Sequence, residues 1–126
     1  MHIEFENLQN EYFISSYGKN YVIIKENKYF NKLVLLGSIM DSCDDVNDIF
    51  SQEFFYKKIN QHDKTEYNFL LFGTGKNAEK IPLKIYEFLV KSNIPYEVMK
   101  SVSAFKTYNI LLSQGKKILA FFDLET

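Results

Sequence analysis

Three short apolar segments in the second half of the chain, separated by stretches of helical length, constrain its fold more than any other feature. The segments are YNFLLF, IPYEVM and KKILAFFDL, centred on residues 69–72, 96–99 and 117–122. Apolar strands that alternate with amphipathic helices are typical of α/β domains, whose parallel strands are buried on both faces. The pattern therefore predicts an α/β fold in which these three segments are adjacent or near-adjacent central strands.

Two helices are predicted between these strands. The first is expected from about residue 78 to residue 92, with Pro82 in its first turn, where a missing N–H costs nothing. The second is expected to be capped by Ser101 or Ser103 and to stop at Gly115. Gly75 and Gly115 should have a positive φ or a close backbone neighbour. The apolar stripes at helical spacing are Ile81, Ile85, Phe88 and Leu89 in the first helix, and Ala104, Tyr108, Leu111 and Leu112 in the second.

The first half of the chain has a different rhythm. FISSYG, NYVIIKE and KYFNKLVLLG are rich in aromatic and β-branched residues and predict three strands joined by tight turns. Residues 38–48 are polar and acidic and predict a loop, and IFSQEFFYKKIN predicts a helix. No repeat, linker or low-complexity segment divides the chain, so one domain spanning residues 1–126 is expected.

Composition excludes several classes of protein. A formal net charge of -1 provides no overall field for nucleic acid. The single cysteine, Cys43, allows no disulfide within the chain and indicates a reducing compartment. The acidic start, MHIEFENLQN, resembles neither a secretory signal nor a transit peptide, and no apolar stretch approaches the ~20 residues of a membrane span. These features predict a soluble cytoplasmic protein.

The stretch LLFGTGKNAEK lies between a predicted strand and a predicted helix. It satisfies the G-x-G-x-x-A form of a dinucleotide fingerprint through Gly73, Gly75 and Ala78. However, Met99 and Lys100 stand where that fingerprint places an acidic residue. A P-loop is excluded, because Leu70 stands at its first glycine and Asn77 at its Ser/Thr position. Three alternatives remain: a tight turn that needs glycine, a turn that also lines a ligand or partner site, or a true nucleotide fingerprint.

No pattern of catalytic or metal-binding residues is evident. Cys43 and the two histidines have no partners at metal-ligand spacing, and there is no nucleophile elbow. The acidic residues Asp41, Asp44, Asp45 and Asp48 resemble a calcium loop only in charge, since the glycine and final glutamate are missing. We therefore expect no catalytic residue, metal or cofactor.

The second predicted helix of this region carries an unusually polar run, Lys106-Thr107-Tyr108-Asn109. Its polar groups could bond to neighbouring backbone, or they could contact a molecule outside the fold. Parallel strands would place the start of this helix beside the GTGK loop, at the sheet edge where α/β proteins collect ligands. The second alternative therefore predicts that Thr74, Lys76, Lys106 and Asn109 line one cleft or partner-facing surface, which would suit an anion or a partner carboxylate. Tyr108 is expected on the core face, with its hydroxyl reaching a backbone group or the cleft edge.

These motifs resemble a family of domains of unknown function that includes the mitochondrial complex I (NADH dehydrogenase) assembly factor 3 and the adipogenesis-associated domain protein. The family pattern is Gly-Thr-Gly, then Glu-x-Met, and then Arg-Thr-Tyr-Asn-x-Leu followed by Glu-Gly-Arg. The chain departs from it at Lys106, at Gln114 and Lys116, and at Phe121, where relatives have arginine, glutamate, arginine and a small alanine. The matching residues are Gly73, Thr74, Gly75, Glu97, Met99, Ala104, Thr107, Tyr108, Asn109, Leu111 and Gly115.

The resemblance implies a three-layer α/β fold: a central mixed sheet with helices on one face and a smaller N-terminal β layer on the other. It also implies a non-catalytic interaction or assembly domain, whose protein partner would be a respiratory-complex subunit or an assembly factor. The alternatives are a small-molecule (anion) binding protein or an enzyme that uses the GTGK loop and the KTYN helix, and a weak homo-oligomer also stays open. The candidate ligand- or partner-binding residues are Gly73, Thr74, Gly75, Lys76, Lys106, Thr107, Asn109 and Gln114.

Overall fold

The structure is a computed structural model that describes residues 12–37, 39–43 and 48–124. Within these ranges the helices are α1 (Gln52–Asn60), α2 (Leu83–Lys91) and α3 (Ser101–Ser113). The strands are β1 (Ser16–Tyr17), β2 (Val22–Ile24), β3 (Asn27–Tyr29), β4 (Lys32–Leu36), β5 (Ile39–Cys43), β6 (Phe69–Thr74), β7 (Tyr96–Met99) and β8 (Ile118–Asp123).

The strands form two separate sheets. The larger one has the order β5-β4-β8-β6-β7; β6 is parallel to β7 and β8, whereas β4 is antiparallel to β5 and β8. The smaller one is an antiparallel sheet of β1, β2 and β3. The predicted α/β class, the mixed central sheet and the separate N-terminal β layer are therefore confirmed.

The two faces of the five-stranded sheet bury two hydrophobic cores, and β8 contributes to both. Its alternate residues Leu119 and Phe121 pack with α1 and α2, whereas Ala120 and Phe122 pack with α3 and the three-stranded sheet. The structure thus adds one detail to the predicted layers: α3 lies on the same face as the small sheet. Its apolar stripe reaches the sheet there through Ala104 and Tyr108, both fully buried.

Several strand predictions need correction. β6, β7 and β8 are neighbours as expected, but β7 is an edge strand of the five-stranded sheet. Its apolar composition is compatible with an edge because its apolar side chains are covered by the layers on the two faces of the sheet. The predicted loop over residues 38–48 contains β5, an edge strand held by its pairing with β4, while residues 38 and 44–47 lie outside the described part. The third N-terminal segment divides into β3 and β4, which belong to different sheets.

The helix starts also differ from the predictions. α2 begins at Leu83, preceded by Pro82 at its N-cap, about five residues later than expected, because residues 75–82 form a loop. Neither Ser101 nor Ser103 caps α3; Lys100 occupies the N-cap without a side-chain bond, and the Ser101 hydroxyl bonds elsewhere. α2 ends at Lys91, close to the predicted residue 92, and Asn93 beyond it has a left-handed φ of 55°.

Both glycine predictions are confirmed, with φ of 86° at Gly75 and 78° at Gly115. A Cβ at Gly115 would meet no atom within 4 Å, so only backbone strain opposes a side chain there. We expect Gly115→Ala to lower the free energy of unfolding by about 1 kcal/mol. Urea denaturation measures the change, and Lys116→Ala, at the exposed next position, is the control with an expected change below about 0.5 kcal/mol. Equal stability of both variants would contradict the prediction.

Candidate functional site

The carboxyl ends of β6 and β8 meet the first turn of α3 at very short range. A Cβ at Gly73 would lie 2.9 Å from the Ala104 Cβ and 3.0 Å from Cδ1 of Phe122. Glycine is therefore needed at position 73 for close packing of the helix on the sheet. This is the packing explanation of the first glycine in GTGK, and it involves no ligand.

The buried hydroxyl of Ser101 joins the three elements at this point. Its Oγ accepts a hydrogen bond from the Gly75 N–H at 2.7 Å and donates to the Asp123 carbonyl at 2.6 Å. The Ser101 N–H donates in turn to the Gly75 carbonyl at 2.8 Å. The Asp123 side chain pairs with the buried Lys32 Nζ at 3.4 Å. As predicted, the GTGK loop and the start of α3 are therefore neighbours.

Thr74 closes the loop that follows β6. Its hydroxyl has two acceptors within hydrogen-bond distance, the Asn77 carbonyl at 2.6 Å and the Met99 carbonyl at 3.3 Å. The same Oγ1 accepts a hydrogen bond from the Glu79 N–H at 3.1 Å. The N–H groups of Gly75 and Glu79, which could otherwise bind an anion, thus donate to side chains of the chain itself.

The polar run of α3 bonds mainly to the N-terminal segment. The Asn109 amide spans the backbone of Ile14: its Nδ2 donates to the Ile14 carbonyl at 2.7 Å, and its Oδ1 accepts from the Ile14 N–H at 3.0 Å. Tyr108 is fully buried and its hydroxyl donates to the Tyr12 carbonyl at 3.0 Å, which confirms its predicted placement. The Thr107 hydroxyl lies 3.4 Å from the Met99 sulfur.

The predicted site residues therefore divide into two groups. Gly73, Thr74 and Gly75 are buried beside the start of α3, and Thr107 and Asn109 are partly buried in contacts with their own chain. Lys76, Lys106 and Gln114 are exposed. A shared cleft lined by Thr74, Lys76, Lys106 and Asn109 stays a prediction.

A cleft of 810 Å³ lies between β5 and α1. Lys58 and Asp41 form an ion pair in its wall, and Asp48 uses Oδ1 to accept the Phe50 N–H at 2.9 Å. Asp44 and Asp45 lie outside the described residues. Within residues 12–37, 39–43 and 48–124, no group of three His, Cys, Asp or Glu side chains could hold a metal ion. In the core beneath α1, burial raises the pKa of the Tyr67 phenol above its ordinary value.

The outer face of α2 carries an apolar stripe that the sequence interpretation did not single out. Leu83, Tyr86 and Val90 are 69%, 46% and 59% exposed, although the helix buries Ile85 and Leu89 on its other side. Their spacing of three and four residues places them along one line of the helix. We call these three residues the α2 stripe. The same spacing is visible in the sequence, where it would have indicated a second apolar face.

Comparison with known proteins identifies the family of the chain. A family model described as protein of unknown function (DUF498/DUF598) matches residues 14–122. The chain belongs to this family. A relative named 13 kDa major membrane protein, from Francisella tularensis subsp. holarctica (strain LVS), is 26% identical over 119 residues, which cover 94% of this chain and 95% of the relative.

Solved structures share the fold of this DUF498/DUF598 chain. A crystal structure described as an outer membrane protein from Bartonella henselae has a TM-score of 0.77 at 19% identity, covering 90% of this chain and 95% of that one. A solution structure of a Bordetella pertussis protein, described as a Mth938-like domain, has a TM-score of 0.69 at 17% identity, covering 94% and 87%. In the described part of the present chain, no helix is long and apolar enough to cross a bilayer.

Proposed function

We propose that this DUF498/DUF598 protein is a non-catalytic interaction domain that binds a protein partner through the α2 stripe. The observation that carries the proposal is the exposure of Leu83, Tyr86 and Val90 on one line of a helix whose opposite side is already packed on the sheet. Within the described part of the chain, these exposed side chains contribute little packing. Burying it against a partner would remove apolar surface from water.

The bonding of the family motifs supports a role in binding more than a role in catalysis. The hydroxyls of Thr74 and Tyr108 and the amide of Asn109 are engaged with backbone groups of the same chain, as is the hydroxyl of Ser101 beside them. These contacts hold a loop, a helix start and the N-terminal segment in place. The motif residues thus stabilise the fold, and we propose that other surfaces recognise the partner.

The resemblance to the complex I assembly factor suggests the class of partner. On that basis we propose a respiratory-complex subunit or another assembly protein. The exposed residues Lys76, Lys106 and Gln114 are proposed as a second contact region, with Gly73, Thr74 and Gly75 shaping the loop beneath it. Anion binding at the loop is the weaker alternative, because the N–H groups of Gly75 and Glu79 already have acceptors.

Photo-crosslinking in the native cell tests the proposal. A photoreactive phenylalanine analogue would replace Tyr86 in one variant, Lys106 in a second and Phe30 in a third. Phe30 is the matched control, since it is an aromatic residue of similar exposure, 50%, on the three-stranded sheet side of the chain. We expect one discrete protein adduct from position 86 and none from position 30, analysed by denaturing gel and mass spectrometry.

Position 106 distinguishes the two surfaces. An adduct from position 106 with none from position 86 would assign binding to the loop and α3, and would overturn the proposed role of α2. The absence of a protein adduct at both positions would overturn the interaction proposal as a whole.

A further inference from the structure

We infer that the partner docks by adding an extended strand to the edge of β7, with apolar side chains toward the α2 stripe and polar, basic side chains toward Glu97. This inference rests on the proposed function and specifies how the partner is recognised. The backbone of β7 selects a strand as the occupant, and the two faces beside it determine which side chains that strand carries.

The backbone of β7 has hydrogen-bonding groups without partners along its outer side. β7 pairs in parallel with β6, whose Leu70 N–H donates to the Pro95 carbonyl at 3.0 Å. Successive residues of a strand direct their backbone groups alternately to its two sides, so those of Glu97 also point toward β6. The N–H and C=O groups of Tyr96 and Val98 therefore point away from β6, and in the described part of the chain no strand lies beyond them. The backbone of another extended strand complements such a row of donors and acceptors.

The α2 stripe borders this edge on one face of the sheet. α1 packs over β8, and its Tyr56 hydroxyl lies 3.4 Å from the Lys84 carbonyl, so α1 covers the side of α2 that is nearer to β8. Successive residues turn by about 100° around a helix, which places Lys84 and Tyr86 on opposite sides of the buried Ile85. Tyr86 therefore lies on the side of β7. Apolar side chains of an added strand that point to this face would bury part of the stripe.

The other face of the edge is polar. Side chains alternate along a strand; Val98 packs with the core beneath α1 and α2, whereas Met99 packs with the core beneath α3. Glu97 therefore lies on the α3 face, where it is exposed and forms no ion pair with another described residue. The Thr107 hydroxyl borders the same face, 3.4 Å from the Met99 sulfur. A lysine or arginine on this side of an added strand would form a favourable cross-strand pair with Glu97.

A strand that alternates apolar and polar residues complements all three features at once. A docked helix would cover the α2 stripe, but its backbone groups are bonded within the helix, so it would leave those of Tyr96 and Val98 without partners. Addition of a strand to a sheet edge is an established mode of peptide recognition, in which main-chain bonds provide affinity and alternate side chains provide specificity.

Two acetylated and amidated heptapeptides test the inference against the whole ¹⁵N-labelled chain. Both have valine at positions 2, 4 and 6 and threonine at both ends, and positions 3 and 5 are lysine in one peptide and glutamate in the other. We expect the lysine peptide to shift the amide resonances of Tyr96 and Val98 and to bind about fivefold more tightly than the glutamate peptide, because of the pair with Glu97. Glu97→Lys should reverse this preference.

Three further measurements separate the backbone contacts from the side-chain contacts. Val98→Pro removes an outward N–H but no bond to β6, and it should weaken the lysine peptide at least about tenfold. Val98→Ala keeps that N–H and should weaken the peptide less. The double variant Leu83→Ser, Val90→Ser should also weaken it. Circular dichroism verifies that each variant is folded. If Val98→Pro does not fold, the lysine peptide with N-methyl groups on residues 2–6 gives the same information, since it should not bind.

Four results would overturn the inference. They are no binding of the lysine peptide, resonance shifts confined to another surface, equal binding of the N-methylated and unmodified peptides, and shifts at residues 96–99 that follow the protein concentration without any peptide. The last would show that a second copy of the chain occupies the edge. If a protein adduct still forms in the cell from position 86, the proposed function stands and only the mode of recognition is wrong.

Discussion

Phe121→Ala is expected to lower the free energy of unfolding by about 3–5 kcal/mol, because the change leaves a cavity among the phenylalanine rings between α1 and the five-stranded sheet. The Phe121 side chain is fully buried. Its ring centroid lies 5.3 Å from that of Phe72, 5.5 Å from that of Phe55 and 6.1 Å from that of Phe54. These three rings belong to α1 and β6, so the cavity would weaken the packing between helix and sheet. Urea denaturation followed by far-UV circular dichroism measures the loss.

Two further variants keep this prediction testable if Phe121→Ala does not fold. Phe121→Leu retains much of the volume and should cost about 1–2 kcal/mol. Leu83→Ala, on the exposed stripe, should change the stability by less than about 0.5 kcal/mol. A cost below about 1.5 kcal/mol for Phe121→Ala would contradict the prediction. It would mean that the neighbouring rings close the cavity.

Asn109→Ala is expected to lower the free energy of unfolding by about 2–4 kcal/mol, because it leaves both backbone groups of Ile14 without their side-chain partner. The Ile14 side chain is buried and the Asn109 amide supplies one donor and one acceptor to its backbone, at 2.7 Å and 3.0 Å. The two residues are 95 positions apart in the chain, so this contact ties the N-terminal segment to α3. Amide hydrogen exchange at Ile14 should accelerate more than exchange in β6 and β8.

A nearby serine provides the control for Asn109. Ser113 is exposed on the same helix, and its hydroxyl donates only to the Ile110 carbonyl, so Ser113→Ala should cost less than about 0.5 kcal/mol. The structural role of Asn109 would be contradicted by a loss below about 1 kcal/mol with unchanged exchange at Ile14. In that case the asparagine of the motif would be available for a role in binding.

These predictions distinguish residues that stabilise the fold from residues of the surface that we propose binds the partner. Tyr108 and Asn109 hold the N-terminal segment, and Ser101 holds the ends of β6 and β8. Variants of these residues should therefore act through stability. Variants of Leu83 and Val90 should act on partner binding at unchanged stability. A comparison of the two sets distinguishes folding effects from recognition.

The sequence by itself determined the features that depend on local patterns. Alternation of apolar strands with amphipathic helices predicted the α/β class, and the left-handed residues Gly75 and Gly115 were predicted because each ends a regular element. The core placement of Tyr108 also followed from helical spacing, since one face of α3 had to be buried. In each case the residues that decide the outcome are close in the sequence.

Only the tertiary structure decided the features that depend on distant partners. β5 exists as a strand because β4 pairs with it, although the stretch from residue 38 to residue 48 is rich in polar and acidic residues, and the strand order places β7 at an edge. The Ser101 hydroxyl bonds to Gly75 and Asp123 instead of capping α3, because the ends of β6 and β8 bring both groups within reach. The acceptor and donor for Asn109 lie in a segment that no local pattern connects to α3. Likewise, the α2 stripe is exposed because α1 covers only one side of α2. The spacing of residues within α2 does not show which of its sides another helix covers.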